Sequence, residues 1–138
     1  MKTILILLLL CTTKLFAQNP TCSDLLQQYA IKPQQVIFEK SKSGQGQVTC
    51  TATYKVKARD ADSMETFLVK HYKMAGLTFT CCGWESTKPG SYQSGNYHLD
   101  ISMYGNAEKM DNTGKLYIEK DRKKIEYFYI MVNLYDGM

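Results

Sequence analysis

Val48-Thr49-Cys50-Thr51-Ala52-Thr53-Tyr54-Lys55-Val56-Lys57 alternates without a break, with Val48, Cys50, Ala52, Tyr54 and Val56 in one phase and threonine or lysine in the other. Successive side chains of a strand leave opposite faces, so the pattern predicts a strand with one buried and one wet face. A helix is predicted to follow over 61–75. Met64, Phe67, Leu68, His71, Tyr72 and Ala75 recur there at intervals of three and four, which makes one apolar stripe. Asp62 and Glu65 have the spacing of a capping box, with Asp standing in for Ser or Thr. Gly76 lies where helices commonly stop.

Outward from this pair, Thr21 or Ser23 can cap a short helix over 24–30, which Pro33 ends. Val36-Ile37-Phe38 reads as a strand, and the polar run 41–46 as a loop or hairpin tip. Residues 77–82 are rich in strand formers, and the Gly-, Ser- and Pro-containing run 83–95 reads as a loop. Tyr97, Leu99, Ile101 and Met103 then alternate with His98, Asp100, Ser102 and Tyr104. Leu116-Tyr117-Ile118 follows a turn at Asn112-Thr113-Gly114. In the last strand Phe128, Ile130, Val132 and Leu134 form one face, and Tyr127, Tyr129, Met131, Asn133 and Tyr135 the other. This order predicts a single α+β domain with an antiparallel sheet of about five to six strands, one main helix packed on a face and a short N-terminal helix. No internal repeat or second domain boundary interrupts it.

The first residues, MKTILILLLLCTTKLFAQ, have the layout of a secretory signal peptide: Lys2, an apolar run from Ile4 to Leu10, and the small Ala17 before polar chain resumes. The run is too short to span a bilayer. Residues 1–17 are therefore expected to be removed, with cleavage at Ala17-Gln18, leaving residues 18–138 as one secreted or periplasmic domain without stable membrane insertion. Cys11 is not expected to be lipidated, because Leu10 occupies the place where a lipoprotein signal carries a small residue.

Loss of Lys2 and Lys14 lowers the formal charge from +4 to +2, which argues against nucleic acid as principal partner. Four cysteines remain, Cys22, Cys50, Cys81 and Cys82, and in an oxidising compartment an even number predicts disulfides. A vicinal Cys81–Cys82 bridge would need a strained tight turn. In a strand the two side chains point apart, so separate partners are expected.

Cys81-Cys82-Gly83-Trp84-Glu85 is the most distinctive local string. Its thiols read as disulfide anchors, Gly83 as a bend and Trp84 as cover for the core edge. His71, on the apolar stripe, reads as a half-buried histidine. With two histidines in the chain and no C-x-x-C or H-x-x-x-H spacing, no metal site or cofactor is predicted. No G-x-S-x-G, phosphate loop or dinucleotide fingerprint is present, and no catalytic residue is assigned. Lys120-Asp121-Arg122-Lys123-Lys124 reads as a solvated hairpin tip. Ten tyrosines against five phenylalanines suit half-buried strands and binding surfaces. Trp84, Tyr127, Tyr129 and Tyr135 are the candidate contact surface. Glu85, His98 and Asp100, beside Trp84, are the alternative polar site.

The order of features resembles a family of small secreted bacterial proteins known as a domain of unknown function. The shared elements are Cys22-Ser23-Asp24-Leu25-Leu26, Lys32-Pro33, Val36-Ile37-Phe38, Gln47 before Ala52-Thr53-Tyr54-Lys55-Val56, Phe67-Leu68, Tyr72-Lys73-Met74, Leu77 through Glu85, and Phe128 through Val132. The resemblance implies one α+β domain with structural disulfides and brings no established activity. The expected function is that of a non-enzymatic secreted or periplasmic binding protein, of the immunity or inhibitor type, whose partner is another protein such as a toxin or hydrolase. The alternatives are a small-ligand binder or hydrolase with a cleft at Trp84, Glu85, His98 and Asp100, and a structural envelope component.

Overall fold

The computed structural model describes residues 20–137. The export segment, its cleavage site and Cys11 lie outside them. The alternating stretch forms strand β2 (Val48–Lys57), and β1 (Ile37–Ser43) pairs with it antiparallel. Ser41, Lys42 and Ser43, expected in a loop, belong to β1, and a bulge at Glu39 shifts its register. Helix α2 (Ala58–Tyr72) follows β2 directly, after the short α1 (Leu25–Tyr29) near the start of the chain.

The remaining strands are β3 (Leu77–Phe79), β4 (Gly83–Ser86), β5 (Gly90–Ser94), β6 (Tyr97–Asn106), β7 (Glu108–Met110), β8 (Leu116–Ile118) and β9 (Tyr127–Asp136). Seven of them form one sheet in the order β1-β2-β9-β6-β4-β3, with β5 on β6, and β7 and β8 form a separate hairpin. All strand pairings among the described residues are antiparallel. The α+β expectation holds, with more strands among the described residues than the sequence predicts. The excess is β4 and β5, which occupy the supposed loop 83–95, together with β7. Their polar sequences carry little periodicity, and pairing with β6 or β8 supplies what composition does not.

Among the described residues, only one face of the sheet is covered. Ala52, Tyr54, Val56, Leu99, Ile101, Met103, Phe128, Ile130, Val132 and Leu134 point inward and are buried with Ala61, Met64, Leu68 and Tyr72 of α2. The helix starts three residues before its expected position, so Asp62 and Glu65 lie inside it rather than at its cap. Lys57 gives no side-chain cap, and the Ala58 N–H is satisfied instead by the Glu126 carbonyl at 3.2 Å. At the other end Lys73, at φ 59°, takes the left-handed position in place of Gly76. His71 is exposed and lies against Phe67, ring centroids 4.3 Å apart, which corrects the half-buried expectation.

Two buried tyrosines hold the N-terminal segment. The Tyr54 hydroxyl accepts from Leu26 N–H and donates to Asp24 Oδ1, both at 2.9 Å. Tyr72 Oη accepts from Ile31 N–H and donates to Ile31 O, both at 3.1 Å. Asp24, rather than Thr21 or Ser23, caps α1 by accepting from Gln27 N–H. Burial works to raise the Asp24 carboxyl, but hydrogen bonds from Lys32, Gln27 N–H and Tyr54 outweigh it and hold the carboxyl below its ordinary value.

Candidate functional site

The outer face of the sheet carries the wet phase of the strands. Registration places Lys55, Tyr129, Tyr104 and Glu85 in one row across β2, β9, β6 and β4. The adjacent row is Lys40, Thr53, Met131 and Ser102, and the next Lys42, Thr51, Asn133 and Asp100. Within these rows lies a shallow groove of about 570 Å³ whose walls include Lys40, Lys42, Thr51, Tyr104, Tyr129 and Met131. Tyr104 and Tyr129 stack at 5.5 Å with an interplanar angle of 23°. Burial, then the neighbouring Tyr129 and the charge of Glu39, push the Tyr104 hydroxyl above its ordinary value. It is therefore a neutral donor and acceptor at physiological pH. The site offers two ammonium groups against the single carboxylate of Glu39, with several hydroxyls and an apolar floor, a combination that suits carboxylates beside an apolar or aromatic side chain.

Of the expected contact residues, Tyr129 sits in this groove. Tyr127 lies at one end of the face beneath Lys55 Nζ, 5.1 Å from its ring centre. Tyr135 lies towards the other end, 6.0 Å from the His98 ring, and its hydroxyl is pushed up by burial and then by the Asp100 charge. All three are half-buried.

Trp84 is not with them, because its pairing with Gly105 turns it to the core side. There it packs on Phe79, centroids 5.5 Å apart, and against the Arg122 guanidinium, 5.3 Å from the indole. Arg122 also lies 5.4 Å from the Phe128 ring and reaches Glu65 Oε2 at 2.7 Å and Asp62 Oδ1 at 3.0 Å. The expected solvated basic tip thus sends its arginine inward. Arg122 and Glu65 are 22% and 18% exposed, so Arg122→Ala is expected to cost more than a surface pair and less than a fully buried one, about 1–3 kcal/mol. Urea unfolding followed by Trp84 emission measures it, with a shifted native emission spectrum as the local sign.

The alternative polar site does not converge. His98 Nε2 and Asp100 Oδ1 are 2.9 Å apart. Glu85 stands exposed opposite Tyr104, four residues further along β6, or roughly 13 Å at the rise of a strand. Trp84 is on the opposite side of the sheet. Among the described residues no three His, Cys, Asp or Glu side chains form a group able to hold a metal ion.

The cysteines also depart from expectation. Cys22 and Cys50 bond to each other across 28 positions, and Cys81 and Cys82 are free. The expectation of separate partners assumed that both lay in a strand. Instead β3 ends at Phe79, and the two cysteines form the turn into β4, closed by a Thr80 N–H bond to Gly83 O at 2.8 Å.

Sequence reasoning missed Lys40, Lys42, Thr51, Thr53 and Tyr104. The period-two pattern already placed Thr51, Thr53 and Tyr104 on wet faces, which was the available signal. The bulged β1 hid the lysines.

Fold and groove together define an α+β protein whose antiparallel sheet is, among the described residues, covered on one side and open on the other. The chain belongs to a family described as a domain of unknown function (DUF4952), whose model matches residues 14–84. No curated protein and no solved structure matches the chain.

Proposed function

We propose that this chain is a non-enzymatic binding protein that seats another protein on the open face of its sheet. The carrying observation is the groove where Lys40 and Lys42 face the stacked Tyr104 and Tyr129 across Thr51, Thr53 and Met131. Its chemistry fits a partner that presents acidic side chains around an apolar or aromatic one. The tyrosines supply contact area at low entropic cost and the lysines steer approach. The signal-like layout of residues 1–17 supports operation outside the cytoplasm, and the absence of any catalytic motif in the sequence supports an immunity or inhibitor role there.

Capture by the oxidised protein from secreted and envelope fractions, read by mass spectrometry, tests the reading. One partner at near-equal amounts is expected. Tyr104→Ser with Tyr129→Ser is expected to weaken it by at least tenfold, a loss of about 1.4 kcal/mol or more. Lys40→Glu with Lys42→Glu is expected to slow association at low salt and to reverse its salt dependence, since the attraction to an acidic partner becomes repulsion. Retention of the partner by both folded variants, or no partner at low salt under non-reducing conditions, overturns the proposal.

A further inference from the structure

We propose that Cys81 and Cys82 form a dithiol–disulfide exchange site, at which a low-molecular-weight disulfide is reduced while the two cysteine sulfurs close on each other.

Three observations support it. The two thiols occupy adjacent positions of one turn, and the other two cysteines of the described chain are consumed by the Cys22–Cys50 bond. The pair is also unequal: Cys81 is exposed and Cys82 half-buried. The Cys82 thiol is pushed up to about 11 by its hydrogen bond with Cys81, then by burial and the nearby charge of Glu108. Cys82 therefore keeps its proton while Cys81 meets solvent, an arrangement that separates an attacking from a resolving sulfur. Finally, the turn borders an open concavity of about 440 Å³ walled by Thr80, Tyr104 and Asn106, which admits a small molecule to the thiols.

In the first step the Cys81 thiolate attacks one sulfur of the small disulfide. A bond forms from Cys81 Sγ to that sulfur, the original S–S bond breaks, and the departing thiolate takes a proton from water. In the second step Cys82 gives its proton to water or to the Glu108 carboxylate and attacks Cys81 Sγ. The mixed disulfide breaks and the second thiolate leaves and is protonated. The protein loses two electrons and two protons, and the small disulfide becomes two thiols. Closing a ring between neighbouring residues twists the Cys81–Cys82 peptide. The bonds Thr80 N–H to Gly83 O (2.8 Å) and Ala107 N–H to Cys82 O (2.9 Å) hold the present turn and must yield. Such a strained bond is readily reduced again, so the step is reversible.

The chain's single tryptophan lies two residues beyond Cys82 and packs on Phe79 across the same hairpin, which makes it an internal reporter. The test equilibrates the folded protein, with Cys22–Cys50 intact, in graded mixtures of oxidised and reduced glutathione, read by peptide mass mapping and Trp84 emission. Expected is a peptide with Cys81 joined to Cys82, no retained glutathione, an emission change with the same midpoint, and full reversal by reduced glutathione. Cys82→Ser is expected to trap one glutathione on Cys81, whereas Cys81→Ser takes it up at least tenfold more slowly. Equal rates for the two variants, bridges from this pair to Cys22, Cys50 or a second molecule, or no oxidation at all would each overturn it.

Discussion

Phe128→Ala is expected to lower the unfolding free energy by about 3–5 kcal/mol, the usual cost of emptying a fully buried aromatic site. Phe128 has no exposed surface, and its ring fills the space that a side chain at position 105 would occupy. A Cβ on Gly105 would lie 2.5 Å from Phe128 Cε1 and 2.7 Å from Cδ1. β6 and β9 therefore pack an aromatic ring over a glycine at this register, directly beside the Arg122 guanidinium. Gly105→Ala alone should cost about 1–3 kcal/mol by overpacking, because a ring held on all sides cannot swing away. In a Phe128→Leu background the same substitution should cost measurably less, with a coupling of about 0.5–2 kcal/mol between the two sites. Urea unfolding of the four proteins closes the cycle. An additive cycle would show that something other than the ring excludes a side chain at position 105.

The same packing explains where reading the sequence succeeded and where it stopped. β2, α2 and β9 were legible because each has one face against the core, and burial imprints a period on the chain. β4 and β5 carry no such imprint. Gly90-Ser91-Tyr92-Gln93-Ser94 is a strand because β6 offers it a row of backbone partners, not because its side chains demand it. Periodicity assigns a residue to a face and is silent about its neighbours. Tyr129 could thus be placed on the outer face, but not beside Tyr104 or across from Lys40 and Lys42, since those contacts depend on the order β1-β2-β9-β6. Trp84 carries two readings, and the core-edge one holds: it packs on Phe79 and against Arg122, on the opposite side of the sheet from the supposed contact surface. The abundance of tyrosine was informative only in part. Tyr54 and Tyr72 use their hydroxyls inside the core, where they take up the backbone groups of the segment from Leu26 to Ile31.

That segment sets the second large expectation. Replacing both Cys22 and Cys50 with alanine should cost about 3–4 kcal/mol, because the bond closes a loop of 28 positions and removes that freedom from the unfolded chain. For a domain of this size the melting temperature should fall on the order of 10–15 °C. The effect should also be local. The bridge joins a residue three positions before α1 to a fully buried position of β2, while Asp24, Lys32 and Tyr54 hold the same segment by polar contacts. Without the bridge those contacts must restrain α1 unaided. Amide exchange over 25–31 should then quicken ahead of exchange in β2, β6 and β9. The open-face groove is built by β1, β2, β9 and β6 and needs no part of α1. Below the new melting temperature, the double variant should therefore bind a partner of that face as the parent does. A loss under 1 kcal/mol, with α1 as protected as before, would assign the anchoring to the Tyr54–Asp24–Lys32 network instead of the disulfide. Loss of partner binding with the sheet intact would place part of the contact surface on α1, at the end of the molecule that the tyrosine rivets and the bridge secure.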